Sequence, residues 1–281
     1  MTVKIVTDSL SDITSDIAQG LGITVVPLTV LFGHESFIDR ITITTDEFYR
    51  RLIQGTVWPT TTQPTPAAFA EVYDKLAGET DEILVITLSK KLSGTYESAL
   101  NAKNLVKKKC RIEVIDSQTV AMGLGLIVIA IAKAAKSGAK LEKLVDLLRS
   151  AMPRSHVIMY FDTLKYLAKG GRIGKAQGLV GSLLSVKPIL TIKDGEVAPL
   201  TRMRSQGAGM DYLYNFVAGF PNIEELAVEH STTPEEADKL VERLVSVLPR
   251  ERIYRSTVSP VLGTYAGPNA LAVTVLEAVK K

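Results

Sequence analysis

Cysteine is almost absent from the 281-residue chain, with Cys110 the single one. A disulfide within the chain is excluded, and so is a zinc site built on cysteines. Such usage suits a reducing cytoplasm, the expected setting. Cys110 has no histidine near it in sequence and makes a poor nucleophile. Histidine is nearly as scarce: His34, His156 and His230 share no metal-ligand spacing, so neither a metal nor a cofactor is expected. An excess of one charge is missing as well. With 33 Lys+Arg against 30 Asp+Glu the formal net charge is +3, and no basic stripe marks a nucleic-acid partner. Lys107-Lys108-Lys109 is expected as the solvated end of a helix. No apolar run reaches the ~20 residues of a membrane span. The most apolar, Met122 to Ala132, stops at Lys133 and is expected as a buried helix. No secretory leader is expected, since Met1 to Lys4 lead straight into a strand. That leaves at most transient contact with a membrane.

Familiar nucleotide and hydrolase signatures are also missing. A phosphate loop ending at Gly174-Lys175 would need glycine where Lys169 stands and Ser or Thr where Ala176 stands. Gly123-Leu124-Gly125 opens a helix, but its third glycine position is Val128, which fits helix packing better than dinucleotide binding. There is no GxSxG elbow. No acid–base pair is evident either, so no catalytic residue is assigned.

What is present is a patterned globular chain, 46% hydrophobic and 22% charged, large enough for two domains. Strands are expected at Val3 to Val6, Thr24 to Leu31, Ile83 to Thr87 and Arg111 to Ile115, with helices at Ser11 to Leu21, Phe48 to Gln54 and Tyr96 to Val106. Trp58 to Pro66, rich in threonine and proline, is expected as a rigid loop, with Thr65 capping the next helix. The alternation predicts an α/β fold whose first domain, residues 1–151, is a three-layer parallel-sheet unit. From 152 to 281 the pattern changes to α+β with an antiparallel sheet. It includes a strand at His156 to Phe161 and a hairpin turning at Asp194-Gly195. Strands at Leu226 to Glu229, Tyr254 to Ser259 and Ala270 to Leu276 follow, with a helix from Thr233 to Val247.

One stretch organises the rest. Leu88 to Ala99 reads LSKKLSGTYESA and sits where a strand hands over to a helix. Such a turn offers unpaired N–H groups and the positive end of a helix dipole to an anion. Gly94 admits close approach, and Ser93 and Thr95 add hydroxyls. Ser93 or Thr95 would serve equally as a plain helix cap. Asp8-Ser9 and Asp116-Ser117 fall at the same sheet edge, where ligands gather in such sheets, and this favours a site.

The motifs Thr7-Asp8-Ser9, Thr61-Thr62-Gln63-Pro64 and Ser93 to Ala99, then Asp116-Ser117, Leu167 to Ile173, Lys187 to Leu190 and Gly267-Pro268, occur in order from residue 7 to 268. In them the chain resembles the DegV family, bacterial fatty-acid-binding proteins that include the FakB subunits of fatty acid kinase. The resemblance implies a long-chain fatty acid between two domains, its carboxylate held by Ser93 and Thr61, with Thr62, Gly94 and Thr95 beside them. It implies docking of a separate ATP-dependent kinase subunit through Arg172, helped by Arg202 or Arg204. That partner would convert the carboxylate to an acyl-phosphate, and this chain would supply no catalytic group. Tyr265 stands where the family commonly has histidine, and its hydroxyl is expected to donate to the carboxylate, to Ser93 or to Thr61. Two other readings are an enzyme on a small anionic metabolite using the same site and a lipid sensor without a kinase.

Overall fold

The computed structural model describes residues 2–179 and 187–279. The first half contributes β1 (Lys4–Asp8), β2 (Ile23–Val26), β3 (Thr29–Phe32), β4 (Glu35–Ile38), β5 (Thr60–Thr62), β6 (Glu82–Thr87) and β7 (Arg111–Asp116). Among them run α1 (Ser15–Leu21), α2 (Thr45–Gln54), α3 (Pro66–Leu76) and α4 (Thr95–Ala102); α5 (Met122–Lys136) and α6 (Leu141–Ala151) follow. Four strands form a parallel sheet in the order β2-β1-β6-β7. β6 shows why this sheet has helices on both faces. Its side chains alternate sides: Leu84 and Ile86 pack into the cluster of α5 and α6, Ile83 and Val85 into that of α3 and α4.

The second half contributes β8 (Ser155–Tyr160), β9 (Lys187–Lys193), β10 (Glu196–Met203), β11 (Ile223–His230), β12 (Ile253–Thr257) and β13 (Leu271–Glu277). Its helices are α7 (Lys165–Lys169), α8 (Gln206–Ala218), α9 (Pro234–Leu244) and α10 (Pro260–Ala266). These strands form one sheet, β10-β9-β8-β13-β11-β12, antiparallel except for the parallel pair β11–β12. α5 joins the two sheets. It is apolar nearly all round, and it packs against β1 on one side and β8, β11 and β13 on the other. Gly125 belongs to that packing, since a Cβ there would run into the Ser11 carbonyl.

Several expectations need correction. Thr24 to Leu31 is two strands in two sheets. Pro27, which has no N–H to give, separates β2 from β3. β3 pairs with β4 and with β5, so the threonine-rich loop contains a strand. Three consecutive β-branched threonines explain it. The first helix starts at Ser15, not Ser11, because Ser9–Ser11 form a 3-10 turn and Asp12 follows at φ 50°. α4 stops at Ala102. Lys107-Lys108-Lys109 therefore lies beyond the helix, where Lys107 and Lys108 donate backbone N–H to Asp74. The last long helix ends at Leu244 and not at Val247, and Thr233 gives it no side-chain cap. Thr44 and Thr65 do cap, accepting N–H from Glu47 and Ala68. Among the described residues no helix is long and apolar enough to cross a membrane.

Candidate functional site

β6 ends at Thr87, and the chain must turn before α4 begins. Carboxylates fix that turn. Asp8, at the end of β1, accepts Leu10 N–H at 3.0 Å and Leu88 N–H at 2.8 Å. Asp116, at the end of β7, accepts Lys90 N–H at 3.2 Å and Gln118 N–H at 2.9 Å. Ser9 donates to Asp39 at 2.7 Å and accepts Leu28 N–H at 3.1 Å. These loops spend their polar groups on the protein's own backbone, and the turn they support presents Ser93. The Ser93 hydroxyl lies 2.9 Å from Thr95 Oγ1 and accepts Thr95 N–H at 3.4 Å. Gly94 holds the N-cap position of α4, and the Ser93 hydroxyl one residue earlier takes the first N–H of the helix, that of Thr95. A Cβ on Gly94 would stand 2.7 Å from Gln63 Nε2, so any larger residue there would push the Gln63 side chain aside.

Beside this turn a cavity lies between the two sheets, with about 910 Å³ of atom-free space, part of it open to solvent. Leu10, Leu88 and Val120 line it from the first half, Phe161, Ile192 and Leu271 from the second. Its polar side chains are Thr61, Gln63, Ser93, Arg172, Glu229 and Tyr265. The hydroxyls of Thr61 and Tyr265 hydrogen-bond each other. The Arg172 guanidinium lies 5.4 Å from the centre of the Tyr265 ring and donates to the carbonyls of Leu92 and Gly170. Hydroxyls rotate, so each of these groups can turn a donor toward an anion entering the cavity.

Thr61, Ser93 and Tyr265 thus share one wall. Thr62 is exposed and outside the lining, because strand alternation points it away from Thr61. Thr95 is fully buried behind Ser93, and Gly94 borders a neighbouring surface pit. Arg172 is exposed and borders both cavity and pit. Arg202 and Arg204 are exposed, at the end of β10 and just past it, and line neither. No histidine enters the cavity lining. Gln63, quoted above only within its motif, does. Among the described residues no group of three His, Cys, Asp or Glu is placed to hold a metal ion.

A second polar patch escaped the sequence. Glu229, 1% exposed, lies in the cavity wall, where its Oε2 accepts the N–H of Met122 and so caps α5 from the opposite half. The Asp12 carboxylate lies close enough to Glu229 to add to the upward push of burial on its pKa. Asp12 in turn accepts Ser259 N–H and pairs with Arg40 at 3.1 Å. Asp39 accepts Val261 N–H. Burial pushes all these acids upward: Asp8 to about 7, Asp39 to about 6, and Asp12 and Glu229 in the same direction. The one trace in sequence is an acid, Glu229, directly after the apolar run Leu226-Ala227-Val228, where a buried acid needs a partner.

The family model described as an uncharacterised protein of the DegV family matches residues 2–278. A DegV domain-containing protein of Caldanaerobacter subterraneus subsp. tengcongensis is 40% identical over 275 residues, 96% of this chain and 97% of that one. The fold is similar to a solved DegV family protein from Thermus thermophilus, described by its fatty acid binding. The TM-score is 0.91 and the identity 31%, over 99% of this chain and 100% of that one. It is also similar to DegV from Bacillus subtilis, described as a fatty acid binding protein. Here the TM-score is 0.90 and the identity 28%, over 99% and 100% of the two chains.

Proposed function

The chain belongs to the DegV family, and from that premise we propose that it is a fatty-acid carrier. A long-chain fatty acid occupies the cavity between the halves 1–151 and 152–281, its carboxylate at Thr61, Ser93 and Tyr265. The observation that carries this reading is the composition of the wall: apolar from both halves, with neutral donors gathered at one patch. Against water the tail dominates binding, at ~0.8 kcal/mol per buried CH₂. Against a bilayer that term nearly cancels. Hydrogen bonds to the carboxylate, each about 1.5–3 kcal/mol, then decide loading and release.

The carrier presents that carboxylate to a separate ATP-dependent kinase subunit, which forms an acyl-phosphate. Arg172, exposed beside the head group, is the docking residue, and Arg202 and Arg204 extend the basic surface. The chain contributes no catalytic group. The fatty-acid relatives from Thermus thermophilus and Bacillus subtilis support the lipid.

The test is transfer of labelled palmitate from vesicles to the wild type and to Ser93→Ala/Thr61→Ala. The double variant should retain at least about tenfold less at matched lipid, the loss of one charge-assisted hydrogen bond or more. Equal partitioning would overturn the head-group assignment. In the same preparation Arg172→Ala should keep its lipid but lose acyl-phosphate formation when a kinase subunit and ATP are added.

A further inference from the structure

The cavity does not end at Ser93. A solvent-open pit adjoins it and shares Leu92, Ser93, Arg172 and Val197 with its lining. Lys90, Lys91 and Glu196 complete the charged side chains of the pit, and Gly94 brings the first turn of α4 to its edge. Three cations therefore face one acid. Glu196 is taken by Lys91, at 3.2 Å. Lys90 lies 5.7 Å from the centre of the Tyr96 ring and has no acid within ion-pair reach among the described residues. Arg172 spends Nε and Nη1 on backbone carbonyls.

A carboxylate held by hydroxyls has no use for this excess of positive charge. A phosphoryl group does: it carries nearly two negative charges at neutral pH and three acceptor oxygens. We propose that the pit is a second compartment of the same site, built to hold the phosphoryl group of an acyl-phosphate while the tail stays in the cavity. The proposal rests on the fatty-acid reading above. In the step concerned, a carboxylate oxygen forms a bond to the γ-phosphorus of ATP held by the partner. The bond from that phosphorus to the bridging oxygen breaks, and ADP leaves with the electron pair. No proton is required. The product gains charge at its head, next to Lys90, Lys91 and Arg172. It therefore binds more tightly than the substrate and stays seated, sheltered from hydrolysis.

The probe is 2-oxoheptadecylphosphonate, in which a methylene replaces the labile oxygen of palmitoyl phosphate. Its affinity is measured beside those of palmitate and inorganic phosphate. The proteins are the wild type, Lys90→Ala/Lys91→Ala and Glu196→Gln. The double variant should bind the phosphonate about tenfold more weakly or worse, the order expected for lost charge-assisted contacts. Its affinity for palmitate should stay within about twofold. Glu196→Gln, which removes the opposing charge, should bind the phosphonate more tightly, an effect that misfolding cannot imitate. Equal losses for both lipids, or no loss for the phosphonate, would overturn the pit. So would lysine-dependent binding of inorganic phosphate without lipid, which would make the pit a free-anion site. A wild type that takes neither lipid would instead overturn the carrier reading itself.

Discussion

At the Ser93 patch the cavity wall carries hydroxyls and a guanidinium; at the Glu229 patch it carries a buried carboxyl with a second one, Asp12, beside it. The two patches solve opposite problems. Around Ser93, Thr61 and Tyr265 the protein keeps adaptable hydroxyls, Thr61 bonded to Tyr265 and Ser93 to Thr95. Around Glu229, Asp12 and Asp39 each acid has one oxygen held by the protein's own N–H groups, from Met122, Ser259 and Val261, with Arg40 paired to Asp12. The first arrangement welcomes a foreign anion and the second repels one. On the proposed carrier reading, a fatty acid inside would lie with its head toward Ser93. The acid patch also joins the halves, since Asp12 and Asp39 belong to the first and Glu229, Ser259 and Val261 to the second.

The contrast breaks hardest at Asp12. Asp12→Ala leaves Ser259 N–H and Arg40 without their acceptor and places alanine at φ 50°. It should destabilise the fold by ~3–5 kcal/mol in urea titration, as for a buried charge pair broken on one side. Glu229→Gln should stay within about 1 kcal/mol of wild type, because an amide keeps an acceptor for Met122 N–H and removes an acid whose charged form burial disfavours. Equal damage from both variants would mean that Glu229 is ionised in the fold.

A milder test uses pH. Asp8 and Asp39 hold protons in the folded state up to about 7 and 6, against an ordinary 3.8. Between those limits the native state binds more protons than the unfolded one, so stability falls as pH rises. The contribution is complete below about pH 4 and lost above about 7. Melting temperature should therefore decline from pH 4 to 7 for this seam. Asp39→Asn should flatten the decline below pH 6 and leave it unchanged above. An identical slope in the variant would remove Asp39 from the account.

The smallest effect belongs to the donor patch. Tyr265→Phe removes the hydroxyl that bonds Thr61. It should weaken palmitate retention roughly two- to tenfold, the worth of one ordinary hydrogen bond, with unchanged stability. Unchanged retention would show that the Tyr265 hydroxyl faces away from the lipid head.

The sheets and the Ser93 turn were legible in the sequence because they rest on local pattern. Ile83 to Thr87 is a buried run of strand length, and Ser93-Gly94-Thr95 follows it at the required distance. The break at Pro27 was visible as a proline, but that β3 leaves for another sheet depends on β5, a distant partner. Thr61 and Thr62 are chemically identical; only the register of β5 against β3 turns one inward. Glu229 and Asp12 were illegible for the same reason. Their proximity spans the two halves, and no local pattern records it.

Trp58 is the only tryptophan. It precedes β5 and stacks on Tyr166 of α7, with ring centroids 5.0 Å apart and planes 23° from parallel. The Lys169 ammonium lies 3.9 Å from the centre of its ring. One ring rides with Thr61 and the other with the segment that leads to Arg172, so the stack ties the two halves together. Tryptophan emission depends on such neighbours. The molecule therefore carries its own optical gauge: a parting of the halves that separated these rings would change intrinsic fluorescence.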